Sequence, residues 1–331
     1  MSALHKFLFD GVPVRGALVL LDDAWQTLLA RRANAPHHGA YPPAVQSLLG
    51  QMCAAVVLLQ SSIKFDGRVV LQFAGDGLLN LAMAEANTHL GIRATAQLTP
   101  GVNSALWAQA TIPLARLINV HGRGRCAITL DDRQRPEGTP PYQGVVSLVD
   151  AQGQPLPDLA AVLRHYMRQS EQLDTTLVLA ADDQRAAGLL IQRLPALGEG
   201  NLSRSAEHDA MDVNEDYRRI ALLAESLKPA ELLTLDAPTL LHRLFWQEKC
   251  LEMPVDTAQG APHFECSCSL ERVRNMLRGL GQAEAQAALD ANGIIEIGCE
   301  FCGARYRLDA LDVAALFSGP ATEVGTQATL H

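Results

Sequence analysis

The sequence predicts an α+β fold in three parts. These are an amino-terminal domain over residues 1–200 on a mainly antiparallel or mixed sheet with helices, a helical middle linker over 201–255, and a small four-cysteine zinc domain over 256–331. Three observations carry this reading. In the first 200 residues most strand-like runs follow one another without an intervening helix, which favours an antiparallel or mixed sheet over a doubly wound one. From about residue 199 the chain turns polar, acidic and helix-forming, with twelve acidic and five basic residues between Ser205 and Glu265, −7 of a total net charge of −9. Four of the seven cysteines then fall in Cys266-Ser267-Cys268 and Cys299-Glu300-Phe301-Cys302, with thirty residues between the pairs.

The elements follow in order. Residues 16–21, Gly-Ala-Leu-Val-Leu-Leu, read as a strand. Residues 42–62 read as a long helix, with Pro43 suited to its first turn and Val45, Leu48, Leu49, Met52, Val56 and Leu59 at helical spacing. Residues 68–73 are a strand ended by the turn chemistry of Gly75-Asp76-Gly77. Further strands are expected at 78–84, 92–98, 127–130, 145–149, 176–179 and 188–192, and a helix at 158–172.

In the acidic middle, helices are expected at 212–227 and 236–249, the second with Asp236 as N-cap and Pro238 near its first turn. Tyr217, Ile220, Leu223 and Leu227 share one side of the first, and Leu240, Leu241, Leu244 and Phe245 one side of the second. Two readings stay open: the stripes pack on the amino-terminal domain, or they form a weakly held segment that high charge keeps near the edge of stability.

In the last part Ser269 can cap a helix to about residue 279, and residues 282–290 make a second, ended by Asn292-Gly293 in the manner of a C-cap. Residues 294–297 lead as a strand into Cys299, and 305–308 return as its hairpin partner. That leaves the Cys-x-x-Cys on a knuckle where backbone amides can donate to sulfur. A unit this small buries little core of its own, so a metal would supply much of its folding free energy.

Two short cysteine pairs can bite one tetrahedral Zn²⁺, because each pair brings its sulfurs within roughly 4 Å around Zn–S bonds of ~2.3 Å. The same proximity lets each pair close as a disulfide once a metal leaves. Cys266, Cys268, Cys299 and Cys302 are therefore the candidate ligands, and the site reads as switchable.

Composition narrows the rest. Hydrophobic residues make up 48 % and charged residues 19 % of 331. No apolar run approaches the ~20 residues needed to cross a bilayer. The start, Met1-Ser2-Ala3-Leu4-His5-Lys6-Phe7, has no export signal, so a cytoplasmic protein with no membrane partner is expected. In that compartment clustered cysteines point to a metal or redox site over a disulfide frame. Acidity argues against nucleic-acid binding, which needs a basic face. Aromatic content of 5 % argues against a base-stacking platform.

His263-Phe264-Glu265-Cys266-Ser267-Cys268-Ser269-Leu270-Glu271-Arg272, followed by Cys299-Glu300-Phe301-Cys302-Gly303 and Tyr306, resembles the carboxy-terminal signature of the redox-regulated 33 kDa heat-shock chaperonins. The resemblance spans essentially the whole chain. Asn103-Ser104-Ala105-Leu106-Trp107-Ala108, Tyr142-Gln143-Gly144-Val145-Val146, Tyr166-Met167-Arg168-Gln169-Ser170-Glu171-Gln172 and Leu240-Leu241-His242-Arg243-Leu244-Phe245 also match family segments in order. It implies an ATP-independent holdase and not an enzyme. In the reduced form the four cysteines would bind one zinc per chain and the protein would be inactive. Peroxide with heat, or hypochlorous acid, would form Cys266–Cys268 and Cys299–Cys302 disulfides, release zinc and unfold the carboxy-terminal and middle parts. The exposed surface would hold unfolding client proteins until ATP-dependent chaperones take them over, with a homodimer as the oxidised form. The expected client surface includes Tyr217, Ile220, Leu223, Leu240, Leu244 and Phe245.

Rival readings are weaker. A nucleic-acid-binding zinc ribbon would share the knuckle hairpin, but not the Cys-x-Cys half, and Arg305 and Arg307 read as a solvated face. A thiol oxidoreductase would place Cys299 at a helix N-terminus, whereas strands flank it here. Gly122-Arg123-Gly124-Arg125-Cys126-Ala127 satisfies a dinucleotide-binding string but leads into a strand. No Gly-x-Ser-x-Gly elbow, Walker loop or His-Glu-x-x-His occurs in the sequence. His37-His38 reads as a solvated loop. Cys53 and Cys126 read as packing residues, and Cys250 as a bystander that could still form mixed disulfides.

Overall fold

The computed structural model describes residues 1–35, 39–107, 109, 111–136, 138–194, 204–254, 260–289 and 291–318, with side chains for all but residues 104 and 204–214 of these. His37 and His38 lie outside that set. So do the expected part boundaries near 200 and 255. Among the described residues the chain divides into two compact units, Met1–Cys266 and Ser267–His331.

The first unit opens with strands β1 (Ala3–Phe9) and β2 (Val14–Leu21), then helices α1 (Asp23–Ala33) and α2 (Pro43–Ser62). A meander of β3 (Gly67–Ala74), β4 (Leu79–Asn87) and β5 (Gly91–Leu98) follows, then short helices α3 (Ser104–Trp107) and α4 (Leu114–Ile118). Next come β6 (Arg125–Asp132), β7 (Tyr142–Val146), α5 (Leu159–Ser170), β8 (Thr175–Ala181) and β9 (Ala186–Arg193). Helices α6 (Arg204–Glu225), α7 (Pro229–Thr234) and α8 (Ala237–Phe245) precede two short strands, β10 (Cys250–Met253) and β11 (His263–Phe264).

Two sheets result. One runs β10-β1-β2-β9-β8 and is antiparallel throughout. The other runs β11-β5-β4-β3-β6-β7 and is antiparallel except where β11 joins β5 in parallel. The expected α+β class with an antiparallel or mixed sheet is what forms, because hairpins and meanders need no crossover helix.

Helix α2 lies within the core. Its residues from Leu48 to Ser61 are all buried except Gln51, and it packs on β2, β8 and β9 of one sheet and β3, β4 and β5 of the other. A Cβ at Gly50 would overlap the Ala181 side chain, so glycine lets the helix sit close to the β8–β9 hairpin. This is the one described helix long and apolar enough to span a bilayer, and most of it is buried inside the protein.

Strands β2 and β9 are buried on both faces, which explains their nearly unbroken apolar sequences. Val19, Leu21, Ala186 and Leu190 face the core around α2. Leu18, Leu20, Leu189 and Ile191 face a second core under α6, α7 and α8.

Several boundaries move. The helix expected at 236–249 ends at Phe245, and Cys250–Met253 goes on to pair with β1. The Asp236 carboxylate caps α8 by accepting from the Thr239 amide at 2.8 Å. The helix expected at 212–227 starts earlier, at Arg204. The strand expected at 145–149 is Tyr142–Val146 instead, because pairing with β6 sets its register.

In the second unit, α9 (Leu270–Leu280) and α10 (Gln282–Ala287) precede the hairpin of β12 (Ile294–Gly298) and β13 (Arg305–Asp309), and α11 (Ala310–Phe317) closes it. Ser269 accepts from the Arg272 amide at 3.2 Å, as an N-cap should. Helix α10 ends at Ala287, so Gly293 (φ 71°) shapes the turn into β12 and is not a helix cap. Among the described residues the apolar core of this unit is six buried side chains: Val273, Leu277, Ala285, Ile295, Leu308 and Val313.

Candidate metal centre

Each half of the four-cysteine motif is held by a different local device. Cys266-Ser267-Cys268 directly precedes the capped start of α9, and Arg272 of that helix donates to Ser267 Oγ at 2.6 Å. Cys299 and Cys302 sit where the β12–β13 hairpin turns. There the Cys299 amide donates to the Ala304 carbonyl and the Gly303 amide to the Cys299 carbonyl, both at 2.8 Å. Gly303 has φ 71°, a left-handed conformation that glycine adopts without strain. The tight turn folds Cys302 back towards Cys299.

The four sulfurs come together. Sγ atoms of Cys266, Cys268, Cys299 and Cys302 all lie within 4.8 Å of one another, and Cys268 and Cys302 are 3.3 Å apart. A tetrahedral ion with ~2.3 Å bonds to sulfur needs S···S edges of about 3.8 Å, so these donors fit one zinc-like ion. Tyr306 Oη on β13 donates to Cys268 Sγ at 3.1 Å. That bond, with burial and the neighbouring sulfurs, pushes the Tyr306 phenol above its ordinary pKa. A phenol kept protonated beside sulfur is a standing donor to a thiolate.

The chain reaches the cysteines along the edge of the six-stranded sheet. The His263 and Glu265 amides donate to the carbonyls of Leu90 at 3.2 Å and Ile92 at 3.0 Å. Phe264 lies under the Arg31 guanidinium, 5.0 Å from the ring centre, and packs against the main core. Glu265 accepts from Asn87 Nδ2 at 2.7 Å. Burial opposes the charge on Arg93, but hydrogen bonds to Glu85 (2.6 Å) and to Cys266 hold its pKa above the ordinary value. Motif reading did not single out Arg31, Asn87 or Arg93, since nothing in their local sequence says that a strand some 170–230 residues later will lie beside them.

The expected client surface sits elsewhere. Tyr217, Ile220, Leu240, Leu244 and Phe245 are buried against the five-stranded sheet and Leu223 is half-buried. Phe245 meets Phe9 edge-on at 5.1 Å between ring centres. The packed reading of these stripes describes this state.

The remaining cysteines keep apart from the cluster. Cys53 and Cys126 are buried in the main core, and burial pushes both thiols up to about 12. Cys250 on β10 is half-buried, with its thiol raised to about 11 by burial and then by Glu248. Arg305 and Arg307 both pair with Glu296 across the hairpin. Cys299 follows a strand and enters a turn, and the Gly122 string runs into β6. Neither arrangement offers the helix N-terminus that the rival chemistries need.

A family model described as Hsp33 protein matches residues 2–309. A "33 kDa chaperonin" of Chromobacterium violaceum is 42 % identical over 315 residues, covering 95 % of this chain and 93 % of its own. One of Shewanella baltica is 37 % identical over 327 residues, covering 98 % and 99 %. The crystal structure of a 33 kDa chaperonin (heat shock protein 33 homolog) from Thermotoga maritima shares the fold with a TM-score of 0.70, at 18 % identity and over 95 % of this chain and 97 % of that one. By the near-complete family match and the two chaperonin sequences, this chain belongs to the Hsp33 family.

Proposed function

We propose that the protein is a redox-regulated, ATP-independent holdase whose switch is the four-sulfur cluster. The observation that carries this is four thiol sulfurs within 4.8 Å of one another, three of them on the Ser267–His331 unit, whose apolar core among the described residues is six buried side chains. Cys266, Cys268, Cys299 and Cys302 would hold one Zn²⁺ in the reduced state, and the bound ion would keep all four sulfurs as thiolates while cross-linking the unit.

Thiolates are the form that oxidants attack. Two thiolates of a pair give two electrons to peroxide, which takes up two protons and leaves as two waters, while one S–S bond forms. Cys266–Cys268 and Cys299–Cys302 are the proposed disulfides. Closing either removes two of four donors, so the cross-link fails as a whole and the small unit loses structure.

The middle helices would then leave the five-stranded sheet, helped by their acidic charge. Tyr217, Ile220, Leu223, Leu240, Leu244 and Phe245, with the sheet face they cover, would become the surface that binds unfolding proteins. Dimerisation of the oxidised form, hand-over to ATP-dependent chaperones and a cytoplasmic location complete the proposal.

Light scattering tests it. A chemically unfolded client is diluted into reduced, zinc-loaded protein and into peroxide-oxidised protein at elevated temperature. Suppression of aggregation by the oxidised sample alone is the expected result, and equal failure of both overturns the reading.

A further inference from the structure

The two-residue strand β11 occupies the edge of β5 where the six-stranded sheet would otherwise end. Unpaired sheet edges accept extended chains. Further along β5 the Ala96 amide is already taken, donating to Tyr41 Oη at 3.0 Å, so the receptive stretch is short and lies around Leu90, Gly91 and Ile92. It is equipped for one kind of sequence. The Leu90 and Ile92 carbonyls accept backbone amides, Arg31 covers an aromatic ring, and the Asn87 amide meets a carboxylate one residue later. The chain's own His263-Phe264-Glu265 satisfies all three, with the His263 and Glu265 amides, the Phe264 ring and the Glu265 carboxylate.

The occupant is held weakly. A parallel pair of two residues makes few hydrogen bonds, and Cys266, two residues after Phe264, is one of the four clustered sulfurs. Leaving the cluster therefore frees the anchor at the end of the strand.

We infer that the β5 edge is a strand-addition site held shut by His263–Phe264, and that once Cys266 leaves the four-sulfur cluster the site takes an extended aromatic–acidic segment of an unfolded polypeptide. This inference rests on the redox-holdase reading above and adds a second, sequence-selective contact to it. The segment adds as a strand, its amides to Leu90 and Ile92, its ring under Arg31 and its carboxylate to Asn87.

Hydrogen exchange on the full-length chain tests it, in parallel with the scattering assay. Three samples are compared: reduced protein, oxidised protein, and oxidised protein with a millimolar peptide, either Ala-Pro-His-Phe-Glu or Ala-Pro-His-Ser-Glu. The amides of Ile92 and Ala94, on the side of β5 that faces β11, are expected to lose protection by more than about tenfold on oxidation. They should regain it with the Phe peptide and not with the Ser peptide, and Arg31→Ala, on the exposed side of α1, should weaken that effect roughly two- to fivefold. Protection that survives oxidation, or that neither peptide restores while the oxidised protein still holds client, overturns the strand-addition site and leaves the holdase standing. Oxidised protein that holds no client overturns both.

Discussion

Tyr306 donates its phenolic hydrogen to the Cys268 sulfur across 3.1 Å. The bond ties the returning strand of the hairpin, which carries Cys299 and Cys302 at its turn, to the Cys-x-Cys pair. Groups of this kind orient ligands and tune affinity.

Tyr306→Phe keeps the ring and removes the donor. Zinc affinity of the reduced protein, read by competition with a chelating dye, should fall roughly tenfold, and peroxide should release the metal faster. Unchanged affinity would show that the bond contributes nothing to the cluster.

Stripping metal from the reduced protein should unfold one unit and spare the other. With an apolar core of six buried side chains among its described residues, the Ser267–Phe317 region has little else to hold it, whereas Met1–Cys266 has two large cores. Limited proteolysis after chelation should cut within the carboxy-terminal unit and leave a stable amino-terminal fragment. Equal resistance before and after chelation would mean that the unit folds without metal.

Phe245 closes the second core against Phe9 and Phe7. Phe245→Ala should cost about 3–5 kcal/mol of the packing of α8 and let the middle helices open before any oxidation. Reduced Phe245→Ala protein should then suppress client aggregation in part. A variant as inactive as the reduced parent would remove these helices from the switch.

Alkaline pH should weaken the main core through its two buried thiols. Cys53 and Cys126 have folded values of about 12 against an ordinary 9.0, so each keeps its proton when folded and loses it when unfolded between those limits. The unfolded chain then binds fewer protons and stability falls as pH rises. Full stability is present below about 9 and declines towards 12, at up to about 1.4 kcal/mol per pH unit per thiol. Denaturant midpoints between pH 8 and 10.5 should show this slope, to which the raised Cys250 thiol adds, and Cys53→Ala should make it measurably shallower.

How much was legible varies by element. Helix α2 was readable almost to the residue, since Pro43 marks its start and apolar side chains recur along it. The hairpin around Cys299 and Cys302 was readable for a similar reason, because strand, knuckle and strand follow within sixteen residues. Strand β1, helix α1 and the short strands β10 and β11 went unread. Helix α1 has no side-chain N-cap bond and buries few apolar groups. Strands β10 and β11 are too short for a period, and exist only because an edge of β1 or β5 is there to receive them.

Local chemistry determined the sulfur pairs, the acidic middle segment and the antiparallel class, because each depends on neighbours within a few residues and leaves its mark in spacing or composition. Tertiary structure alone decided which stripes are covered, which strand edge meets His263–Phe264, and that Arg31, Asn87 and Arg93 stand beside a segment some 170–230 residues away. Those outcomes come from long-range burial and pairing, where any suitably apolar face or open edge satisfies the same physics until the folded chain offers a particular one.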